Sequence, residues 1–141
     1  MTNFFSVELA GIASLPVVKV NSAAYAAPLR RYRATVLLAA QNIGDNIYVA
    51  FLPAGDDFAF GVLYSSVSLG TSTIAIGITG QNGKYRAASV FVAVDIPTPF
   101  GTTAQNIAPT LAVEDQVFIS IGAAALPASG NLSVEHYCSR P

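Results

Sequence analysis

From Arg30 onward the sequence alternates at period two and is cut roughly every ten residues by turn chemistry. In RRYRATVLLAA, Tyr32, Ala34, Val36 and Leu38 lie on one strand face, and Arg31, Arg33 and Thr35 on the other. In NIYVAFLP, Ile47, Val49 and Phe51 face one way while Tyr48, Ala50 and Leu52 face the other. Both faces are apolar, which predicts a strand, Asn46–Leu52, covered on both sides. PAGDD is a turn, since Pro presets φ and Gly admits positive φ. FAFGVLYSSVSLG follows as a strand with Phe58, Phe60, Val62 and Tyr64 on one face, and Gly61 marks a bulge or a close approach. Ile74, Ile76 and Ile78 alternate with Ala75, Gly77 and Thr79, one large face and one small.

The later segments continue the pattern. Asn82-Gly83 is the expected tight turn, because Asn-Gly is the strongest short hairpin signal. YRAASVFVAV reads as a strand or a short helix, with Val90, Val92 and Val94 favouring a strand in its second half. Residues 95–112 carry three prolines and read as a long irregular connection. QVFISIG and NLSVEHY are the last two strands, joined by the loop AAALPASG. The expected fold is all-β: an antiparallel β-sandwich of about eight strands. The long crossover before the last two strands favours a Greek-key or jelly-roll connection over a simple meander, and the expectation taken forward is jelly-roll-like. Residues 1–28, with Pro16 and Pro28 around PVVKV and SAAYAAP, read as an irregular N-terminal arm with one short strand at Val17–Val20. Residues 29–141 are the expected sandwich domain, and 141 residues suffice for one self-contained core.

Charge narrows the function classes. Only 11% of residues are charged, against about 25% in ordinary soluble domains, while 52% are hydrophobic. Lys, Glu and Asp are the residues depleted at the centres of interfaces, so the expectation is a surface largely covered by copies of the chain or by a partner. A net charge of −1 supplies no global field for nucleic acid. The single cysteine, Cys138, excludes an intrachain disulfide. MTNFFSVELAGIASLP has no basic start and carries Glu8, so it does not read as a secretory signal. The uncharged stretch Phe58–Gly83 is too broken by Ser, Thr and Gly for a membrane helix.

Several motifs invite chemistry and are weighed residue by residue. GITGQNGKY places Lys84 after a glycine, as in a phosphate-binding loop. However, Gly77 is one position too early, Tyr85 stands where a magnesium-holding Ser or Thr belongs, and no long helix follows. His136 and Cys138 share a face of the last strand, but a zinc site needs about four ligands and no other Cys or His exists. Asp45, Asp56, Asp57 and Asp95 are oxygen donors without the spacing of a calcium loop, and read as turn formers. There is no G-x-S-x-G elbow, and the only His lies in the last strand. The expectation is no catalytic, cofactor-binding or metal residue, no cofactor and no enzyme activity. In RRYR, Arg30, Arg31 and Arg33 with Tyr32 fit either a small nucleic-acid patch or arginines paired with carboxylates of a neighbouring subunit. The negative chain favours the second.

From Arg30 onward the order of segments resembles small virion proteins of tailed bacteriophages, the capsid decoration or cement type. The likeness is carried by RRYRATVLLA, the FLPAG turn, GVLYSSVSLGTSTIAIG, GKYRAA and ISIGAAALPASGNLSVEHY. Residues 1–28 lie outside it. The resemblance implies a β-sandwich or jelly-roll module without catalytic residues and a homo-oligomer, expected as a trimer, seated on the major capsid protein. It also implies a place on the virion capsid surface, reached after synthesis in the host cytoplasm. No membrane partner is expected. Two alternatives stand beside it. One is a tail, collar or head-fibre module. The other is a carbohydrate-binding sandwich, for which Tyr25, Tyr48, Tyr64 and Tyr85 are the aromatic candidates in a chain without Trp. A trimer would also bury the two-sided strand Asn46–Leu52.

Overall fold

The computed structural model describes Pro16, Val17 and residues 27–140. Residues 18–20 of the expected strand at Val17–Val20, and most of the expected arm, lie outside the described residues. Eight strands run in chain order as β1 (Leu29–Leu37), β2 (Asn46–Leu52), β3 (Asp57–Ser65), β4 (Thr73–Ile78), β5 (Gln81–Val90), β6 (Thr98–Phe100), β7 (Asp115–Gly122) and β8 (Asn131–Ser139). A short helix, α1 (Thr103–Asn106), lies between β6 and β7.

The strands form two four-stranded antiparallel sheets, ordered β1-β8-β3-β6 and β2-β7-β4-β5. The topology follows from folding the chain back on itself at the β4–β5 turn. That ribbon pairs β4 with β5, β3 with β6, β2 with β7 and β1 with β8. Rolling the ribbon then brings β8 against β3 and β7 against β4. The result is a jelly roll, one of the two connections that the long crossover favoured.

Alternation sets the core. Val36, Leu63, Ile74, Ile76, Val117, Ile119, Leu132 and Val134 point between the sheets and are buried. Fully burying one such side chain contributes about 1.5–3 kcal/mol. β4 is an interior strand of its sheet, and its small side is buried as well as its isoleucine side.

Two bulges change faces that strict alternation assigns. Between Tyr48 and Ala50 the register of β2 shifts, so Val49 and Leu52 turn inward while Tyr48 and Phe51 turn out together. Within this chain β2 is therefore covered on one side only. A second shift between Phe58 and Phe60 buries Phe58 and leaves Phe60 and Tyr64 on the exterior, so the expected common face of Phe58 and Phe60 is corrected. Gly61 marks the close approach and not the bulge: a Cβ there would lie 2.0 Å from the Phe100 ring.

The β4–β5 turn is also corrected. It falls at Thr79-Gly80, with Gly80 at φ 83°, and Gln81–Gly83 already belongs to β5. The backbone of Gln81 and Asn82 then passes over Gly77, where a Cβ would sit 2.1 Å from the Gln81 carbonyl. Only glycine admits that approach. The helical option for YRAASVFVAV is excluded. The strand is its first half: β5 ends at Val90, and Val92 and Val94 are exposed beyond it. Residues 95–112 contain β6 and α1, so that connection is more regular than expected.

Candidate functional site

Apart from Tyr25, the residues singled out for chemistry are all placed, and they do not converge. Lys84 pairs with Asp115 at 2.5 Å, and the Tyr85 hydroxyl donates to the same carboxylate at 2.6 Å. Asp115 is buried and Lys84 nearly so, with 12% of its side chain exposed, so the one lysine of GITGQNGKY is neutralised against the fold. Burial first, and the hydrogen bond to Asp115 second, push the Tyr85 phenol far up. The stretch is a strand end, a turn and a strand start.

His136 and Cys138 do share a face, and it is the inner one. Both are fully buried. Neither ring nitrogen of His136 has a hydrogen-bond partner. Phe58, Tyr85 and Phe100 surround it at ring-centroid distances of 6.1, 5.5 and 5.3 Å. Desolvation holds its pKa down at about 4. Burial likewise pushes the Cys138 thiol up to about 12, so it stays protonated and a poor nucleophile.

The carboxylates are dispersed. Asp56 is fully buried, accepts from Tyr32 Oη at 2.5 Å and pairs with Arg140 at 2.8 Å. Burial and that hydrogen bond raise the Tyr32 phenol to about 12. Asp57 lines a separate cavity of about 120 Å³ with Asn106 and Ser139, and burial raises its pKa. Asp45 accepts from the Asn42 amide at 2.8 Å, and Asp95 holds positive φ in a loop. Among the described residues no three His, Cys, Asp or Glu side chains form a group that could hold a metal ion. Among them, too, no helix is long and apolar enough to cross a membrane.

What the fold does present is surface. On the outer face of β1-β8-β3, register aligns Arg31, Tyr137 and Phe60 in one row, Arg33, Glu135 and Val62 in the next, and Thr35, Ser133 and Tyr64 in a third. Arg31 Nε donates to Glu135 Oε1 at 3.0 Å, and its Nη2 reaches the same oxygen. Tyr137 Oη donates to Glu135 Oε2 at 2.7 Å. Burial alone would raise the Glu135 carboxyl, but the hydrogen bonds from Arg31 and Tyr137 outweigh it and hold the pKa below the usual value. Tyr137 stacks on Phe60 at 4.7 Å and 12°. Arg31 thus pairs within its own chain, which corrects the expectation that it reaches a neighbouring subunit. Sequence reasoning missed Glu135, although the alternation that turns Val134 and His136 inward already turns Glu135 out, toward β1 arginines.

The second surface is the β2 edge of the other sheet. Tyr48 and Phe51 are 53% and 56% exposed and meet edge to face at 6.1 Å, with Tyr48 also against Phe118 at 5.4 Å. The aromatic candidates for sugar stacking do not gather on a common face. Tyr85 is buried, Tyr48 and Tyr64 lie on the outer faces of different sheets, and Tyr25 lies outside the described residues.

No protein-family model matches the sequence, and no curated protein matches it. Solved structures do. The chain is similar to one in the cyanophage Pam1 capsid asymmetric unit, at 19% identity and a TM-score of 0.67, covering 82% of this chain and 86% of that one. It is similar to one in the capsid of Ralstonia phage GP4, at 16% identity and a TM-score of 0.62, covering 82% and 84%. A third likeness is to a chain in the acidic stable capsid of the Helicobacter pylori bacteriophage KHP30, at 11% identity and a TM-score of 0.59, covering 80% and 88%. At these identities the likeness is one of fold: this chain has the jelly-roll architecture found in chains of three phage capsid structures.

Proposed function

We propose that this protein is a virion structural protein that decorates and cements a bacteriophage capsid by binding the major capsid protein. The observation that carries the reading is the fold likeness, which spans more than four-fifths of the partner chain in each of three phage capsid structures. The chemistry of the chain supports it. Its titratable clusters are spent on internal pairing, its low charge suits a largely covered surface, and two outer faces carry exposed aromatic side chains. In this reading residues 1–28 are an arm that reaches a neighbour, residues 29–141 are the seated module, and the working unit is a trimer on the capsid exterior.

Copy number in purified particles tests this directly. Quantitative mass spectrometry, followed by a cryo-EM reconstruction of the virion, is expected to find the chain in hundreds of copies on the shell lattice. A few copies per particle, confined to a vertex or tail, would replace decoration by the tail, collar or fibre role.

A further inference from the structure

Positive charge is not spread over the described surface. Lys84 is taken by Asp115 and Arg140 by Asp56. Arg86 donates to the backbone carbonyls of Ile74, Ser89 and Val90. The other cationic side chains among the described residues are Arg30, Arg31 and Arg33, all on β1, an edge strand of its sheet, and of these Arg31 is paired with Glu135. Arg33 is exposed, and its guanidinium makes no side-chain hydrogen bond among the described residues and acts on Glu135 through charge alone. It stands in register with Glu135, whose oxygens are already claimed by Arg31 and Tyr137. Arg31 is held in place by Glu135 while 49% of its side chain stays exposed. Beside these guanidinium groups, Phe60 and Tyr64 present 39% and 37% of their surface to solvent.

This face has the composition of a binding centre: Arg and aromatic side chains, ordered in advance, on rigid strands. Its occupant must bring carboxylates and some apolar surface. A second copy is a poor match. Pairing β1 with β1 of another copy would set arginine against arginine, the kind of edge charge that discourages self-pairing. Among the described residues the exposed carboxylates, Asp45, Asp95 and Glu114, sit singly in separate loops, and Asp45 is engaged by Asn42 and Glu114 by Gln116. Nucleic acid is a poorer match still, since its binding needs many cations along a groove and this face offers few.

We propose that the outer face of β1, β8 and β3 docks a carboxylate-bearing, partly apolar surface of a different protein. Arg33 and the free edge of Arg31 receive the carboxylates, while Phe60 and Tyr64 cover the apolar neighbours. That this protein is the capsid shell rests on the function proposed above; the chemistry of the occupant does not.

Two probes separate the claims. The first is an empty shell of the major capsid protein of the phage that carries this chain under the proposed function. Arg33→Glu is expected to weaken shell binding at least about tenfold. The neutral Arg33→Gln should weaken it less, and wild-type binding should fall as salt rises. Val113→Ser, an exposed site on another surface, should bind as wild type. Matching circular-dichroism melts certify that the Arg33 variants are folded. Wild-type binding that Arg33→Glu leaves intact would overturn the docking face and keep the capsid role.

The second probe is a short peptide of alternating Glu and Phe, followed by NMR titration of the isolated chain. Amide shifts are expected on β1, β3 and β8 and lost in Arg33→Glu. Shifts elsewhere, or none, overturn the docking face whatever the shell does. Peptide shifts in place, with no wild-type binding to shells, would keep the face and reject the shell as its partner. If Arg33→Glu instead changes the light-scattering mass of the free protein, the face joins copies of this chain and the proposal fails.

Discussion

His136 sits where a histidine must stay neutral. Its ring is sealed among Phe58, Tyr85 and Phe100 with both nitrogens unpartnered, and Cys138 beside it on β8 brings no charge. Protonation would place an unpaired charge in the core, which is why its pKa falls from 6.5 to about 4. Between those two values the unfolded chain binds more protons than the folded one, so stability rises with pH across that window. The contribution is complete above pH 6.5, is lost as pH falls toward 4, and amounts to roughly 3 kcal/mol at full size. Asp57, whose carboxyl is raised by burial, acts in the opposite sense, and Glu135, held low by Arg31 and Tyr137, adds its own loss in stronger acid. His136→Phe keeps an aromatic ring in the cage and removes the proton site. Melting curves from pH 7 to pH 4 should drop steeply for the wild type and much less for the variant. Parallel curves would assign the acid sensitivity to the carboxylates.

At the scale of strands, tight packing rests on a few glycines. Gly61 of β3 lies under the Phe100 ring of β6, and even a methyl group there would collide with it. Gly61→Ala is expected to cost about 1–3 kcal/mol by displacing that ring. In a double-mutant cycle with Phe100→Leu most of the cost should vanish, and additive losses would show that the strain lies in the backbone. Which residues share a face was legible along β1, the start of β2, β4 and, for His136 and Cys138, β8, because period-two alternation is dictated by the pleat itself. The extra residues at Val49 and Ala59 were not legible. A bulge there depends on the partner strand, and neither residue is a Gly or Pro that would announce it. The turn between β4 and β5 was misplaced for a related reason. Gly80 and Gly83 both permit a tight turn, and the choice is made by Gly77, whose bare Cα lets the Gln81–Asn82 backbone pass. Of the surfaces, Glu135 was hidden because the arginine that buries it comes from 104 residues away.

For the whole molecule, the bulge in β2 has a consequence that simple alternation would not produce. It turns Tyr48 and Phe51 out together on an edge strand, away from the arginine-bearing sheet. Under the proposed function the two surfaces take different tasks: an apolar edge for copy-to-copy contact and a charged face for a distinct partner. Each half-exposed aromatic buried at such an edge contributes about 1 kcal/mol, too little to hold two chains by itself. A closed trimer repeats the contact three times, and a trimer resting on several shell subunits multiplies weak single contacts into tight binding. Self-association and shell binding should then fail together when only the β2 edge is altered. Replacing Tyr48 and Phe51 together by Ser should leave the melting temperature within a few degrees, since both side chains are already half exposed. The light-scattering mass should fall from that of a trimer to that of a single chain. Shell binding should weaken by about 10²-fold or more although Arg31 and Arg33 are untouched. A double variant that is monomeric yet binds shells as tightly as wild type would show that one chain suffices to hold the shell, and the multivalent account would fall. A wild-type protein that is itself monomeric in solution and on the shell would remove the trimer.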